Sequence, residues 1–270
     1  MGKFDDKVVW ITGGARGQGR SHAQAFAREG ADIVICDVPD PLPTVPYPVG
    51  TAEDMAETVA LVEAEGRKCL ALKGDVRDGA QMRNIASEAM AAFGRIDVHI
   101  ANAGILSLAE STWETSDEDW QEMIDVNLTG VWQSCKAAIP HILAGGRGGS
   151  IIMTASIAAM RGVAGCTHYT AAKHGVVGLM RTLAWELASE NVTVNAVVPT
   201  GVNSPMSNND FFGRWLDEHP KLADAMRGNL IDIEQLPASH VSGAMVWLAS
   251  EEGRYVTGVT LPIDAGFLIK

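Results

Sequence analysis

The sequence is short of cysteine and of positive charge, and no apolar run in it is long enough to span a bilayer. Among its 270 residues there are four cysteines, Cys36, Cys69, Cys135 and Cys166, far apart and without CxxC spacing. That spacing argues against a disulfide framework or a thiolate metal centre, and small core residues in a reducing compartment are expected instead. Cys166 stands apart because it precedes Tyr169 by three residues. Lys and Arg number 21 against 33 Asp and Glu, a formal net charge of -12. A surface of that sign repels phosphate backbones and anionic headgroups, so neither nucleic acid nor membrane is expected as a partner. The first apolar run, Val8 to Ile11, stops at a glycine-rich turn and forms no signal-peptide core, which leads us to expect a cytoplasmic protein. No His/Cys/Asp cluster has metal-site spacing, so no metal is expected.

What is present is a balanced globular composition, with 47% apolar and 20% charged residues over a length that suits one domain spanning 1–270. Short β-branched runs alternate with longer helical patterns. Strands are expected over residues 7–11, 32–36, 69–73, 97–100, 150–154, 192–197 and 259–263. Most are apolar on both faces, which suits strands buried between two helix layers. Ala23, Phe26, Ala27 and Gly30 offer a sheet-facing stripe on the first helix. Repeated βα units imply an α/β fold with a parallel, doubly wound sheet.

Two stretches break this rhythm. Residues 38–51 hold Pro39, Pro41, Pro43, Pro46 and Pro48, which rules out helix or central strand; residues 38–52 read as an extended surface insertion. Residues 203–236 form a long excursion carrying Met206, Phe211, Phe212, Trp215, Leu222 and Met226, read as a lid over an apolar substrate, with subunit packing as the alternative.

The first strand runs into Thr12, Gly13, Gly14, Ala15, Arg16, Gly17, Gln18 and Gly19, and a helix follows. Glycines let backbone approach a pyrophosphate, and a helix N-terminus offers it free N–H groups. The spacing here is Gly13-x3-Gly17-x-Gly19 rather than GxGxxG. Asp37 ends the second strand, eighteen residues past Gly19. A carboxylate there accepts from adenosine ribose hydroxyls and repels a 2′-phosphate, favouring NAD over NADP; Arg16 is the group that could instead hold that phosphate. Asp75 and Val76 follow the third strand, where the carboxylate could bond the adenine amino group and the valine pack on the ring. Asn102, Ala103 and Gly104 follow the fourth, on the same sheet edge.

Ser156 lies just past the fifth strand, and thirteen residues on comes Tyr169 with Lys173 four residues later, on one helical face. A nearby ammonium would lower the phenol's pKa from its usual ~10 and make it a general base for alcohol oxidation, or the acid for carbonyl reduction. The alternative is a surface tyrosine beside a solvated lysine. His168 would be turned about 100° from Tyr169 and so pack rather than react. His99, inside a strand, reads as a core histidine rather than a ligand.

Taken together, these motifs resemble the short-chain dehydrogenase/reductase family over nearly the whole length: residues 12–19, Asp75, Asn102 to Gly104, Asn127, Ser156, Tyr169 with Lys173, and Pro199, Thr200 and Gly201. The resemblance implies a single Rossmann-type domain with a seven-stranded parallel sheet between two helix layers. It implies that Tyr169 transfers the proton, Ser156 orients the substrate oxygen, and Lys173 contacts the nicotinamide ribose. Asn127 would hold a helix break and a relay water, Val202 would meet the nicotinamide carboxamide, and a homotetramer is implied. The insertion after Asp37, the run from Tyr169 to Met180 (YTAAKHGVVGLM) and the ending from Tyr255 to Phe267 (YVTGVTLPIDAGF) are similar to an actinobacterial subgroup containing carveol dehydrogenases. That likeness implies tightly held NAD covered by the insertion, and mycofactocin as an external redox partner. Thr200 stands where the family often has glycine and would bond carboxamide or phosphate. Met160, Val163, Cys166, Met206, Phe211 and Trp215 are expected to wall an apolar pocket for a small hydrophobic alcohol or ketone, such as a cyclic terpenoid. A non-catalytic NAD-binding regulator and an epimerase on the same scaffold are the other readings.

Overall fold

The computed structural model describes residues 2–38, 40–226 and 228–270; of the insertion's five prolines, Pro39 lies outside the described residues. Seven strands form one sheet: β1 (Val8–Thr12), β2 (Asp32–Asp37), β3 (Cys69–Lys73), β4 (Val98–Ala101), β5 (Gly149–Thr154), β6 (Val192–Pro199) and β7 (Thr260–Ile263). Their order is β3-β2-β1-β4-β5-β6-β7 and every pairing is parallel. The order reverses between β1 and β4, so the sheet is wound outward in both directions and the fold is a Rossmann-type α/β domain.

The helices are α1 (Gly17–Arg28), α2 (Ala52–Ala64), α3 (Gly79–Phe93), α4 (Asp117–Ile124), α5 (Gly130–Gly145), α6 (Thr167–Leu187), α7 (Asp210–Glu218), α8 (Pro220–Met226) and α9 (Ala238–Ala249). Alternation along each strand feeds two cores. In β1, Val8 and Trp10 join the α3, α5 and α6 side, while Val9 and Ile11 join the α1 and α9 side. Burial on both faces explains why the strands read as continuous apolar runs.

Three details depart from expectation. β4 begins at Val98, one residue later than expected, with the Asp97 carboxylate paired to Arg95 and accepting from the Val8 N–H. Gly30 lies beyond α1 rather than on its stripe; its φ is +97°, and a Cβ there would sit 2.0 Å from the Asp5 carboxylate. Residues 40–51 are irregular and are anchored as well: Leu42 is buried, and Val45 and Val49 pack against the core. No helix among the described residues is long and apolar enough to cross a membrane.

Candidate active site

The carboxyl ends of β1 to β6 share one edge, and two adjoining cavities open there. The first is built largely from backbone. Gly13 has φ +67°, and a Cβ on it would lie 2.8 Å from Ala103 Cα. A Cβ on Gly19 would lie 1.9 Å from the Gly13 carbonyl oxygen. Only glycines permit this turn, and it carries the chain into α1. Arg16 at the N-cap makes no side-chain cap bond and the first turn holds no acid, so the helix's leading N–H groups are left for an anion. The Thr12 hydroxyl braces the turn, accepting from the Asn102 and Ala103 N–H groups at 3.0 Å each. Asn102 Nδ2 donates to the Thr12 and Gly13 carbonyls at 3.1 and 3.2 Å.

Asp37 sits at the tip of β2, its two oxygens accepting from the Ala15 and Val38 N–H groups at 2.9 Å each. Burial pushes its carboxyl above the usual range, and these N–H groups partly offset that. Gly13, Arg16, Gly17, Gln18, Gly19, Asp37, Asp75, Val76, Asn102, Ala103 and Gly104 all line this first cavity. Asp75 lines it with its carboxylate paired to Arg77, whose Nη2 and Nε donate to Oδ2 at 2.6 and 2.9 Å.

The proline-rich segment closes the side of this cavity, and Leu42, Tyr47, Val49 and Gly50 line it. Thr44 donates to Glu122 from both N–H and hydroxyl, at 3.0 and 2.6 Å. Glu122 in turn accepts from Arg77 at 2.7 Å, so the strap is tied to the Asp75 ion pair. The Tyr47 hydroxyl accepts from the Leu106 N–H at 2.9 Å, and Arg16 donates to the Pro48 carbonyl. These anchors join residues 59 and 78 positions apart, so nothing local in the sequence signals them.

The second cavity, about 360 Å³, takes in Asn127, Ser156, Tyr169 and Lys173 together with Pro199, Thr200, Gly201 and Val202. Tyr169 and Lys173 share a face of α6, and Ser156 begins the 3-10 turn Ile157–Ala159 after β5. Asn127 lies in a π-helical turn, Asp125–Thr129, between α4 and α5. Its Oδ1 accepts from the Ile105 N–H at 3.2 Å while Nδ2 donates to the Ile105 carbonyl at 3.1 Å. Gly104 leaves room for this: a Cβ there would lie 2.7 Å from Asn127 Oδ1 and 3.6 Å from Lys173 Nζ.

Burial pushes the Tyr169 phenol well above its ordinary value, and the Ser156 hydroxyl is the group that opposes it. Lys173 Nζ donates to the Thr154 carbonyl at 2.8 Å and lies 5.5 Å from the Tyr169 ring centroid. Burial also draws Lys173 down, to about 8. Burial of the phenol thus disfavours its ionised form in the chain alone, and Lys173 faces its ring and a backbone carbonyl.

The 203–236 excursion contributes Met206, Phe212, Leu222 and Met226 to the wall of this cavity. Its base is stapled where Leu236 and Asn203 N–H groups donate to the Gly201 and Leu236 carbonyls at 2.8 and 2.9 Å. Val163, Cys166 and Met206 line the wall as expected; Met160, Phe211 and Trp215 do not. Met160 is half exposed, Phe212 takes the inward position beside Phe211, and Trp215 stacks on His219 with centroids 4.3 Å apart. Cys166 is buried, its thiol pushed up to about 12. The Thr200 hydroxyl donates to Asn229 Oδ1 at 3.3 Å. His168 bonds Ser107 at 2.8 Å, and His99 bonds Ser134 at 3.1 Å; both are packing residues.

The glycine cradle, uncapped helix start and strand-end carboxylate fit a dinucleotide, and the second cavity adjoins them. The family described as enoyl-(acyl carrier protein) reductase matches residues 13–268. A (-)-trans-carveol dehydrogenase of Rhodococcus erythropolis is 45% identical over 277 residues, covering 100% of both chains. The crystal structure of carveol dehydrogenase from Mycobacterium avium in complex with NAD superposes with TM-score 0.95 at 43% identity, covering 100% of both chains. A short-chain dehydrogenase from Mycobacterium paratuberculosis bound to NAD gives TM-score 0.95 at 39% identity, again over 100% of both. The chain belongs to the short-chain dehydrogenase/reductase family. As a member of that oxidoreductase family, its resemblance to the carveol dehydrogenases extends from end to end. What sequence reasoning missed in this dehydrogenase/reductase is the polar fastening of the strap, since Thr44, Tyr47 and Glu122 belong to no motif.

Proposed function

We propose that this chain is an NAD-dependent dehydrogenase of hydrophobic secondary alcohols, with cyclic terpenoid alcohols of the carveol type as the substrate class. What carries the reading is that Tyr169, Ser156, Lys173 and Asn127 line one apolar-walled cavity that adjoins the glycine cradle. Asp37 at the ribose position supports NAD over NADP, and Arg16 is engaged by the Pro48 carbonyl. Bound NAD supplies the hydride acceptor. The alcohol oxygen would lie between Ser156 and Tyr169, Ser156 donating to it and Tyr169 taking its proton. Lys173 and a water near Asn127 carry that proton outward. In the reverse direction the neutral phenol favoured by burial is already the proton donor. Residues 203–236 act as the substrate lid, and the strap covers the bound dinucleotide.

A homotetramer follows from the family likeness, and Trp113 and Trp185, 86% and 88% exposed, offer apolar surface for it. Mycofactocin as external redox partner rests on the subgroup likeness alone. The test is reduction of added NAD with a panel of cyclic secondary alcohols, alongside chiral analysis of the alcohol. Growth of reduced cofactor in step with ketone supports the reading. Inversion of the alcohol without net reduction would point to an epimerase, and binding without either to a regulator.

A further inference from the structure

Gln18 is the residue in the phosphate turn whose chemistry remains unused. Five residues line both cavities, Gln18, Asn102, Gly104, Ser204 and Met206, and so mark the junction between them. Asn102 is committed on both sides of its amide, to the Thr12 and Gly13 carbonyls and to the Thr154 hydroxyl. The Ser204 hydroxyl has a long contact to Ser207 at 3.4 Å. Gln18 Oε1 is buried and has no hydrogen-bond partner. Seven buried side-chain atoms among the described residues lack a partner, and Gln18 holds the one that belongs to a cavity wall. A buried amide oxygen without a donor costs stability unless something bound satisfies it. Pyrophosphate offers only acceptors, so it cannot. The group required is a hydrogen-bond donor sited where the two cavities meet.

We infer that the Gln18 side chain recognises the nicotinamide mononucleotide half of the bound dinucleotide, its Oε1 accepting from a donor there. Two donors have this chemistry, the ribose hydroxyls and the carboxamide N–H. The inference rests on the dinucleotide reading above and adds to it a side-chain role in a turn otherwise explained by backbone alone. It also assigns a reason for a polar residue between Gly17 and Gly19, where a turn that needed only close approach would accept an apolar one.

The experiment is equilibrium titration of NAD, ADP-ribose and ADP into nucleotide-free protein, comparing wild type with Gln18→Met, which keeps length and loses the amide. Gln18→Leu serves as a second variant, and thermal melting without ligand confirms that each is folded. Gln18→Met is expected to weaken NAD about tenfold while ADP stays within about twofold. An equal tenfold loss for ADP-ribose assigns the donor to the ribose; retained ADP-ribose affinity assigns it to the carboxamide. Unchanged NAD affinity in both variants, or an ADP loss equal to that of NAD, would overturn the inference. If wild type itself binds no NAD, the functional reading fails first, and that outcome is distinct from either.

Discussion

The two halves of the cleft are made of different material. The nucleotide half is backbone: glycines at 13, 17 and 19, the leading N–H groups of α1, and a strap held by directional bonds from Thr44 and Tyr47. The half that holds Tyr169, Lys173 and Ser156 is side chains, with a phenol, an ammonium and a hydroxyl set among apolar walls to which residues 203–236 contribute. The first should therefore register damage as lost affinity and the second as lost turnover. Backbone dipoles bind charge without reacting; only titratable groups can move a proton.

The largest expected effect tests the second half. Tyr169→Phe should lower turnover by roughly 10²–10⁴-fold, the usual worth of a positioned acid or base, while calorimetric NAD affinity stays within about twofold. Comparable loss of affinity would erase the division. Lys173→Met sharpens it further. A buried ammonium drawn down to about 8 from 10.5 is destabilising where it is charged, so its removal should raise the melting temperature at pH 7 by a few degrees. Turnover should fall about 10²-fold in the same variant, and a lowered melting temperature would contradict the desolvation argument.

The strap supplies the converse. Thr44→Val deletes the 2.6 Å bond to Glu122 and should weaken NAD about three- to tenfold with turnover at saturation unchanged, as read by titration and steady-state kinetics. The smallest effect concerns the lid. His219 donates to Glu110 at 2.7 Å, and that contact raises the imidazole above its ordinary 6.5. A raised folded value means the ion pair contributes fully below 6.5 and is lost as pH rises through the folded value. Hydrogen-exchange protection of α7 should thus fall on the alkaline side in wild type and lose that pH dependence in Glu110→Gln.

Much of this was legible in the chain itself. Strand positions, the phosphate turn and the Ser156, Tyr169 and Lys173 set followed from local pattern, because each depends on neighbours within a turn or two. The apolar wall was legible only in part: apolar content marked residues 203–236, but helical phase in α7 decided that Phe212 faces inward and Trp215 packs elsewhere. The insertion was visible through its prolines but its fastening was not, since Thr44 and Tyr47 meet partners on α4 and after β4.

By itself the sequence determined the winding of the sheet, the edge at which ligands gather and which residue types wait there. Only the tertiary structure decided how readily each group ionises, because desolvation is set by everything packed around it. Tyr169 is pushed up and Lys173 down by burial that no spacing of tyrosine and lysine encodes. It likewise decided how each carboxylate is held, since Arg77 pairs with Asp75 and two backbone N–H groups orient Asp37. Bonds of that kind arise from chain segments brought together by the fold, and distance along the chain carries no record of them.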